Sequence, residues 1–248
     1  ALSEKNMISS IQDFHDQKLS FAMLIRSLSQ HEWFLPSIED QPFLQQINDE
    51  LFLSLSTNRE TFSKAHPDSD VKPIVKNFAW IFENLPEDLE GFLIDLNSEH
   101  ALQLPSQYFS FFQQILDCSK VENIFKKDAS QEELLSTLRA YPSYLLAIIQ
   151  DEEGTANIAL APDHQNRKLI AVFTAPDCFK AFEQAAEGKL GDLTIDEVSG
   201  EKLFTNLSQL PIDGLVFNCY GPVQPQAIGK VLINSLGKIK DKENTPNT

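Results

Sequence analysis

Cys178 stands in "TAPDCFKAFEQ", directly after an apolar run and at the start of a helical pattern. A helix N-terminus favours a thiolate, and a strand, a Cys-bearing loop and a helix are one way to hold an anion beside a nucleophile. Loops of that kind wrap the anion in backbone N–H groups, are usually Gly-rich and end in Arg. This one has neither residue, and Asp177 adjoins the thiol and opposes its ionisation. Cys178 is therefore expected to be structural. Cys219 follows the apolar run "GLVFN" and would need a general base. The five His (His15, His31, His66, His100, His164) are scattered, without HxxxH or HExxH spacing. His31 reads as a cation in the last turn of a helix. With nine Gly, no Walker loop and no GxGxxG, the chain is not expected to cradle phosphates. No metal and no cofactor are expected.

The most site-like residues are polar groups at the ends of apolar runs. One set is Thr174, Asp177, Asn218 and Tyr220; the other is Thr57, Glu60, Asp95 and Asn97. In sheets flanked by helices, ligands gather outside the strand C-termini, so these residues are candidates for contact with a ligand or partner. Capping explains several of them fully and is the favoured reading. Thr57 and Thr174 would be helix N-caps, and Glu60 and Asp177 capping-box acids. Asp213-Gly214 reads as a tight turn before a strand.

Composition narrows what these residues can serve. The chain has 248 residues, 42% hydrophobic and 23% charged, which suits two globular domains. A net charge of −16 repels phosphate backbones and anionic lipid surfaces, so neither nucleic acid nor membrane is an expected partner. Phe, at 18 residues against 2 Trp and 4 Tyr, has no polar tip and is expected in the core. No apolar run reaches the roughly 20 residues of a membrane helix, and "ALSEKNMISS" lacks the pattern of a secretory leader. Three widely spaced Cys make no disulfide framework. A cytoplasmic location is expected, with export as an effector as the alternative.

The positioning elements recur along the chain. "LFLSLSTNRETFSKA" (51–65) matches "KLIAVFTAPDCFKAF" (168–182), with Thr57, Glu60 and Phe62 opposite Thr174, Asp177 and Phe179. "IFENLPEDLEGFLIDL" (81–96) matches "LFTNLSQLPIDGLVFNC" (203–219), and Gly91 falls opposite Gly214. Leu24, Leu28 and Leu35 match Leu134, Leu138 and Leu145; Pro105 is set opposite Pro225, as the start of a closing helix. Pairings in one collinear order imply two homologous modules, 1–125 and 126–240, followed by a polar, disordered tail at 241–248. The second module is read as holding an extra piece around "DEEGTANIALAPDHQNR", with "TANIALAP" as an added hairpin partner.

Each module then reads as an amphipathic helix, a strand, a strand apolar throughout, a capped helix, a short strand, another helix, and a strand after an acid-Gly pair. Helices and strands interleave, so the fold class is α+β: two modules, each a small mixed sheet packed with helices.

The ordered set "KLIAVFTAPDCFKAF", "GEKLFTNL" and "DGLVFN" resembles the SseB-type N-terminal domain, a family named for enhanced serine sensitivity. The family pattern is an "AVFT" strand, a capped helix and a downstream "DGLVxNP"-like strand and turn. Ala171 to Thr174 and Asp213 to Val216 with Asn218 carry it in the second module. The first module departs from it, with "LSLST", Glu90-Gly91 and Asp95. The resemblance implies a bacterial, cytosolic α/β module without an assigned reaction, and no catalytic residue carries over. The expected function is a non-catalytic binding or regulatory protein, with a protein or small-ligand site at the strand ends or between modules. The alternatives are a small-molecule enzyme or sensor with a polar or thiol-containing pocket, and a secreted effector acting through protein contacts.

Overall fold

The computed structural model of the chain describes residues 4–238, apart from 69, 127, 151 and 152. The expected tail at 241–248 lies outside the described residues. The fold is α+β and divides into two compact units, Ala1–Leu116 and Asp117–Thr248.

The first unit runs α1 (Glu4–His15), α2 (Phe21–Ser29), β1 (Trp33–Ile38), β2 (Gln41–Pro42), β3 (Gln45–Ile47), β4 (Glu50–Leu55), α3 (Arg59–Ala65), β5 (Lys72–Lys76), α4 (Phe78–Glu83), β6 (Leu89–Ile94) and β7 (Leu102–Pro105). A 3-10 turn, Ser106–Tyr108, then leads into α5 (Phe109–Ile124), inside which the division between units falls. The second unit continues with α6 (Gln131–Ala140), β8 (Tyr144–Gln150), β9 (Ala156–Ile158), β10 (Leu169–Phe173), α7 (Pro176–Ala186), β11 (Leu193–Val198), α8 (Gly200–Gln209), β12 (Gly214–Phe217), β13 (Gln226–Gly229) and α9 (Lys230–Lys238).

Local chemistry sets the helix starts. Ser20, Ser130 and Ser199 each accept a hydrogen bond from the backbone N–H three residues on, capping α2, α6 and α8. Glu132, Glu133 and Glu201 stand in first turns, where the helix dipole favours acids. β10 is buried along its whole length, as a strand apolar on both faces must be.

The second unit is one sheet of order β11-β8-β10-β12-β13, with β9 added on β8. The first has the same neighbours, opened into β2-β1-β5 and β3-β4-β6-β7 and joined by a single Phe34–Ser56 bridge. Registers agree as well. Phe52 to Leu55 lie parallel to Gly91, Phe92, Leu93 and Ile94; 117 residues on (172 − 55), Leu169 to Val172 lie parallel to Gly214 to Phe217. The bridge Phe34–Ser56 corresponds to the pair Leu145–Phe173, so Leu35 falls opposite Leu146 and not, as expected, opposite Leu145.

Three further expectations change here. The hairpin partner is no addition to the second unit, because β2 and β3 already supply one in the first. Its turns are tight: Glu39-Asp40 and Asn48-Asp49 have positive φ at both central residues, the type I′ geometry that matches strand twist. The corresponding connection from Gln150 to Ala156 is longer, and that accounts for the growing offset. Second, Pro105 pairs with Gly91, and Gly229 with Gly214. Pro105 therefore corresponds to Gly229, four residues past Pro225 (229 − 225), and Pro225 precedes a strand rather than starting a helix. Third, Gly214 lies within β12 rather than in a turn. A Cβ there would sit 2.4 Å from the Ile228 carbonyl oxygen, and one at Gly91 would sit 2.6 Å from that of Leu104. Strand approach, not turn conformation, requires both glycines.

The Phe residues build the cores. In the first unit Phe78 and Phe112 approach to 4.4 Å and Phe92 and Phe109 to 4.6 Å between ring centroids. In the second, Phe173, Phe179 and Phe182 fill the face under α7. Each fully buried ring contributes about 1.5–3 kcal/mol of transfer free energy. Among the described residues no helix is long and apolar enough to cross a membrane.

Candidate functional site

The polar residues at the strand ends meet in pairs. β6 continues its ladder one residue past its end, where the Asp95 N–H donates to the Leu55 carbonyl at 2.8 Å. Asp95 then turns left-handed (φ 46°), a conformation that short polar side chains tolerate best. That turn folds its carboxylate back over the neighbouring strand. It accepts from the Thr57 N–H at 2.7 Å, the Thr57 hydroxyl at 2.8 Å and His100 Nε2 at 2.9 Å. His31 Nε2 donates to the Thr57 carbonyl at 3.0 Å. Thr57 is thus satisfied at both backbone groups although it is buried.

The second unit repeats this clasp with other residues. The Asn218 N–H donates to the Val172 carbonyl, and Asn218 turns left-handed at φ 55°. Its Oδ1 accepts from the Thr174 N–H at 3.0 Å, and its Nδ2 donates to the Thr174 hydroxyl at 3.0 Å. That hydroxyl donates to Glu122 Oε1 at 2.7 Å, and the Tyr141 hydroxyl donates to the Thr174 carbonyl. Burial raises the Tyr141 phenol well above its ordinary range, which keeps it a donor.

Of the residues singled out in the sequence, Thr57, Asp95, Thr174 and Asn218 come together in these clasps, at 0–2% exposure. The N-cap expectation for the threonines is corrected. The caps stand one residue later: Asn58 makes a capping box with Thr61, and Ala175 caps α7 without a side-chain bond. Glu60 is exposed and pairs with Lys64 at 2.7 Å, which lowers its carboxyl pKa. Asp177 sits in the first turn of α7. Tyr220 lies 44% exposed, its ring 5.9 Å from that of Phe182. Asn97, left-handed at φ 66°, is exposed two residues beyond the clasp.

His31 is not the helix-end cation expected of it. It is buried against Trp33, and its Nδ1 has no hydrogen-bond partner. Glu122, Tyr141 and His100 escaped the sequence reading. Only His100 left a local signal, five residues after Asp95; the other two reach Thr174 from distant elements.

As chemistry, the first clasp contains a His–Asp pair without a nucleophile in line. The Thr57 hydroxyl donates to the carboxylate, not to the imidazole, so nothing on it is activated for attack. The thiols point the same way. Cys118 and Cys178 are fully buried, and burial pushes the Cys219 thiol up to about 11. A thiol reagent applied to the native protein at neutral pH should leave Cys118 and Cys178 unmodified and reach Cys219 slowly, whereas the denatured chain should react at all three. Rapid stoichiometric labelling of native Cys178 would restore thiol chemistry. Among the described residues no group of three or more His, Cys, Asp or Glu is placed to hold a metal.

Two open features belong to the second unit. A groove of about 610 Å³ lies between α5 and α6, lined by Val121, Ile124, Tyr141 and Pro142. At the sheet margin, β11 pairs only with β8 among the described residues, and Ile195 is 53% exposed. No family model and no curated protein matches this chain. The SseB-type resemblance therefore stands on the residues quoted for it.

Proposed function

We propose that this chain is a non-catalytic binding protein of the SseB-like type, built from two related modules, which recognises a segment of a protein partner on its second unit. The observation that carries this reading is the contrast between the closed clasps and the open surface. The strand-end groups that would greet a small ligand spend their hydrogen bonds on one another, while apolar and backbone groups of the second unit stand open to solvent. Matching registers in the two units support an origin by duplication. Three cysteines, none in a disulfide among the described residues, suit a reducing cytoplasm, and the charge of −16 suits a basic partner.

Selection from a peptide-display library of random sequence, using the full chain as bait, tests this reading. The expected outcome is a family of peptides binding at about 100 μM or tighter, a modest free energy of about 5 kcal/mol. Hydrogen exchange should place them on residues 117–238. Failure to select any peptide, together with small-molecule turnover lost on Thr174→Val, would replace the reading with the enzyme alternative.

A further inference from the structure

The two units end their sheets differently at one matched edge. In an antiparallel pair, directly opposed residues either exchange hydrogen bonds or turn their N–H and C=O groups away from each other. The Pro36 carbonyl accepts from the Phe43 N–H at 2.8 Å, on the β2 side of β1. Pro36 therefore turns away from Pro73, its opposite on β5, and the Pro73 nitrogen faces off the sheet. Proline has no N–H, so this edge lacks an outward donor at Pro73 and keeps one at Val75, with Lys72 and Lys76 flanking both. Charges and proline of this kind keep an edge strand from pairing with another chain.

In the second unit the same register holds a different residue. The Ala147 carbonyl accepts from the Ala159 N–H at 2.8 Å, on the side of β8 away from β11. Its opposite on β11 is Ile195, so the N–H and C=O of Ile195 point off the sheet, as by the same alternation do those of Leu193 and Glu197. Ile195 stands where Pro73 stands in the first unit, and its side chain is exposed. Leu193 beside it packs against the core under α7. Residues 192–198 carry three acids, Asp192, Asp196 and Glu197, and no base, all three exposed.

We propose that β11 is a docking edge which takes up an extended, basic segment of a partner protein as an added strand, a proposal that rests on the binding reading above. Main-chain hydrogen bonds to Leu193, Ile195 and Glu197 would supply affinity. An apolar side chain of the segment would lie beside Ile195 on one face, with Lys or Arg against Asp192 and Asp196 on the other. Charge selects this occupant over a second copy of the chain. Antiparallel pairing of β11 with itself would gather six carboxylates along one seam, and like charges across a sheet destabilise it.

The test uses the full chain and three acetylated, amidated heptapeptides: one alternating Lys and Val, one with Glu for Lys, and one with the central Val replaced by Pro. The Lys peptide should bind and slow exchange of the Leu193, Ile195 and Glu197 amides. The Glu and Pro peptides should bind at least about tenfold more weakly, the loss expected from one or two missing hydrogen bonds or from reversed charge. Ile195→Pro places the first unit's residue at the matched position, removing an outward donor and the exposed Ile side chain. It should keep the native melting temperature within a few degrees and lose affinity about tenfold. Asp192→Lys with Asp196→Lys should exchange the preference from the Lys to the Glu peptide, a readout that a folding defect would not produce. Binding that leaves the three amides unchanged, full affinity in Ile195→Pro, or dimerisation abolished by Ile195→Pro would each overturn the proposal. If display-selected peptides instead protect the groove between α5 and α6, the docking edge fails while the binding reading stands. If no peptide of any kind binds, both fail.

Discussion

Asp95→Ala is expected to destabilise the first unit by about 3–5 kcal/mol, the cost of leaving several donors without their shared acceptor. The carboxylate is fully buried, and it is the acceptor for the Thr57 N–H, the Thr57 hydroxyl and His100 Nε2. Alanine leaves all three donors unpaired and holds a Cβ-bearing residue without a polar side chain at φ 46°. Asp95→Asn copies the second unit and tolerates the same backbone, but its Nδ2 cannot accept from His100, so it should cost about 1–2 kcal/mol, less than alanine. The reverse exchange is not symmetric. Asn218→Asp removes the Nδ2 donor and places a carboxylate beside a hydroxyl already given to Glu122, so it should cost more than about 2 kcal/mol. Urea unfolding can be followed unit by unit, because both tryptophans, Trp33 and Trp80, belong to the first. Equal costs for Asp95→Ala and Asp95→Asn would mean that the clasp contributes nothing beyond volume.

Tyr144→Ala is expected to cost the second unit about 3–5 kcal/mol, as other buried aromatic truncations do. Tyr144 is fully buried between Tyr141, Phe204 and Phe217, and its hydroxyl donates to the Leu138 carbonyl at 2.8 Å. Trp33 holds the matched place in the first unit, where its Nε1 donates to the Leu28 carbonyl at 3.1 Å. A ring with one polar tip therefore ties the first strand to the last turn of the preceding helix in both units. Tyr144→Phe keeps the ring and orphans that carbonyl, for about 1–2 kcal/mol. The phenol also sets an alkaline limit. Burial raises the Tyr144 and Tyr141 pKa values, so the folded state keeps both protons while the unfolded chain loses them near its ordinary value. The resulting stability is fully present below about pH 10 and is lost as pH rises above it, at about 1.4 kcal/mol per unit for each tyrosine. The double Tyr→Phe variant should flatten that slope; an unchanged slope would contradict the buried placement.

Much of the fold is legible because it follows from local patterns. The apolar runs 51–56 and 169–173 become buried strands, and Leu24, Leu28 and Leu138 face inward as their spacing demands. The clasps are only half legible. The sequence marks Thr57, Thr174, Asp95 and Asn218 as polar ends of strands, yet their roles depend on partners 38 and 44 residues apart. Capping uses the same residue types at short range, so spacing alone favours the nearer explanation. The Pro105–Pro225 pairing fails for a similar reason: it rests on residue identity, whereas strand register sets Pro105 opposite Gly229. The docking edge lies beyond any local pattern, because strand order decides which strand stands last. Ile195 becomes informative only when its opposite, Ala147, is known.

The most direct measurement is site-resolved amide exchange of the full chain, alone and with the alternating Lys-Val peptide. The expected result is that the Thr57 and Thr174 amides, held by Asp95 and Asn218, are among the slowest in the free protein and do not change. The Ile195 amide should exchange rapidly in the free protein and slow when the peptide is added. The contradictory result is the reverse: Thr57 and Thr174 amides that exchange rapidly and become protected by ligand, with Ile195 unaffected, would make the strand ends the site and the edge mere surface.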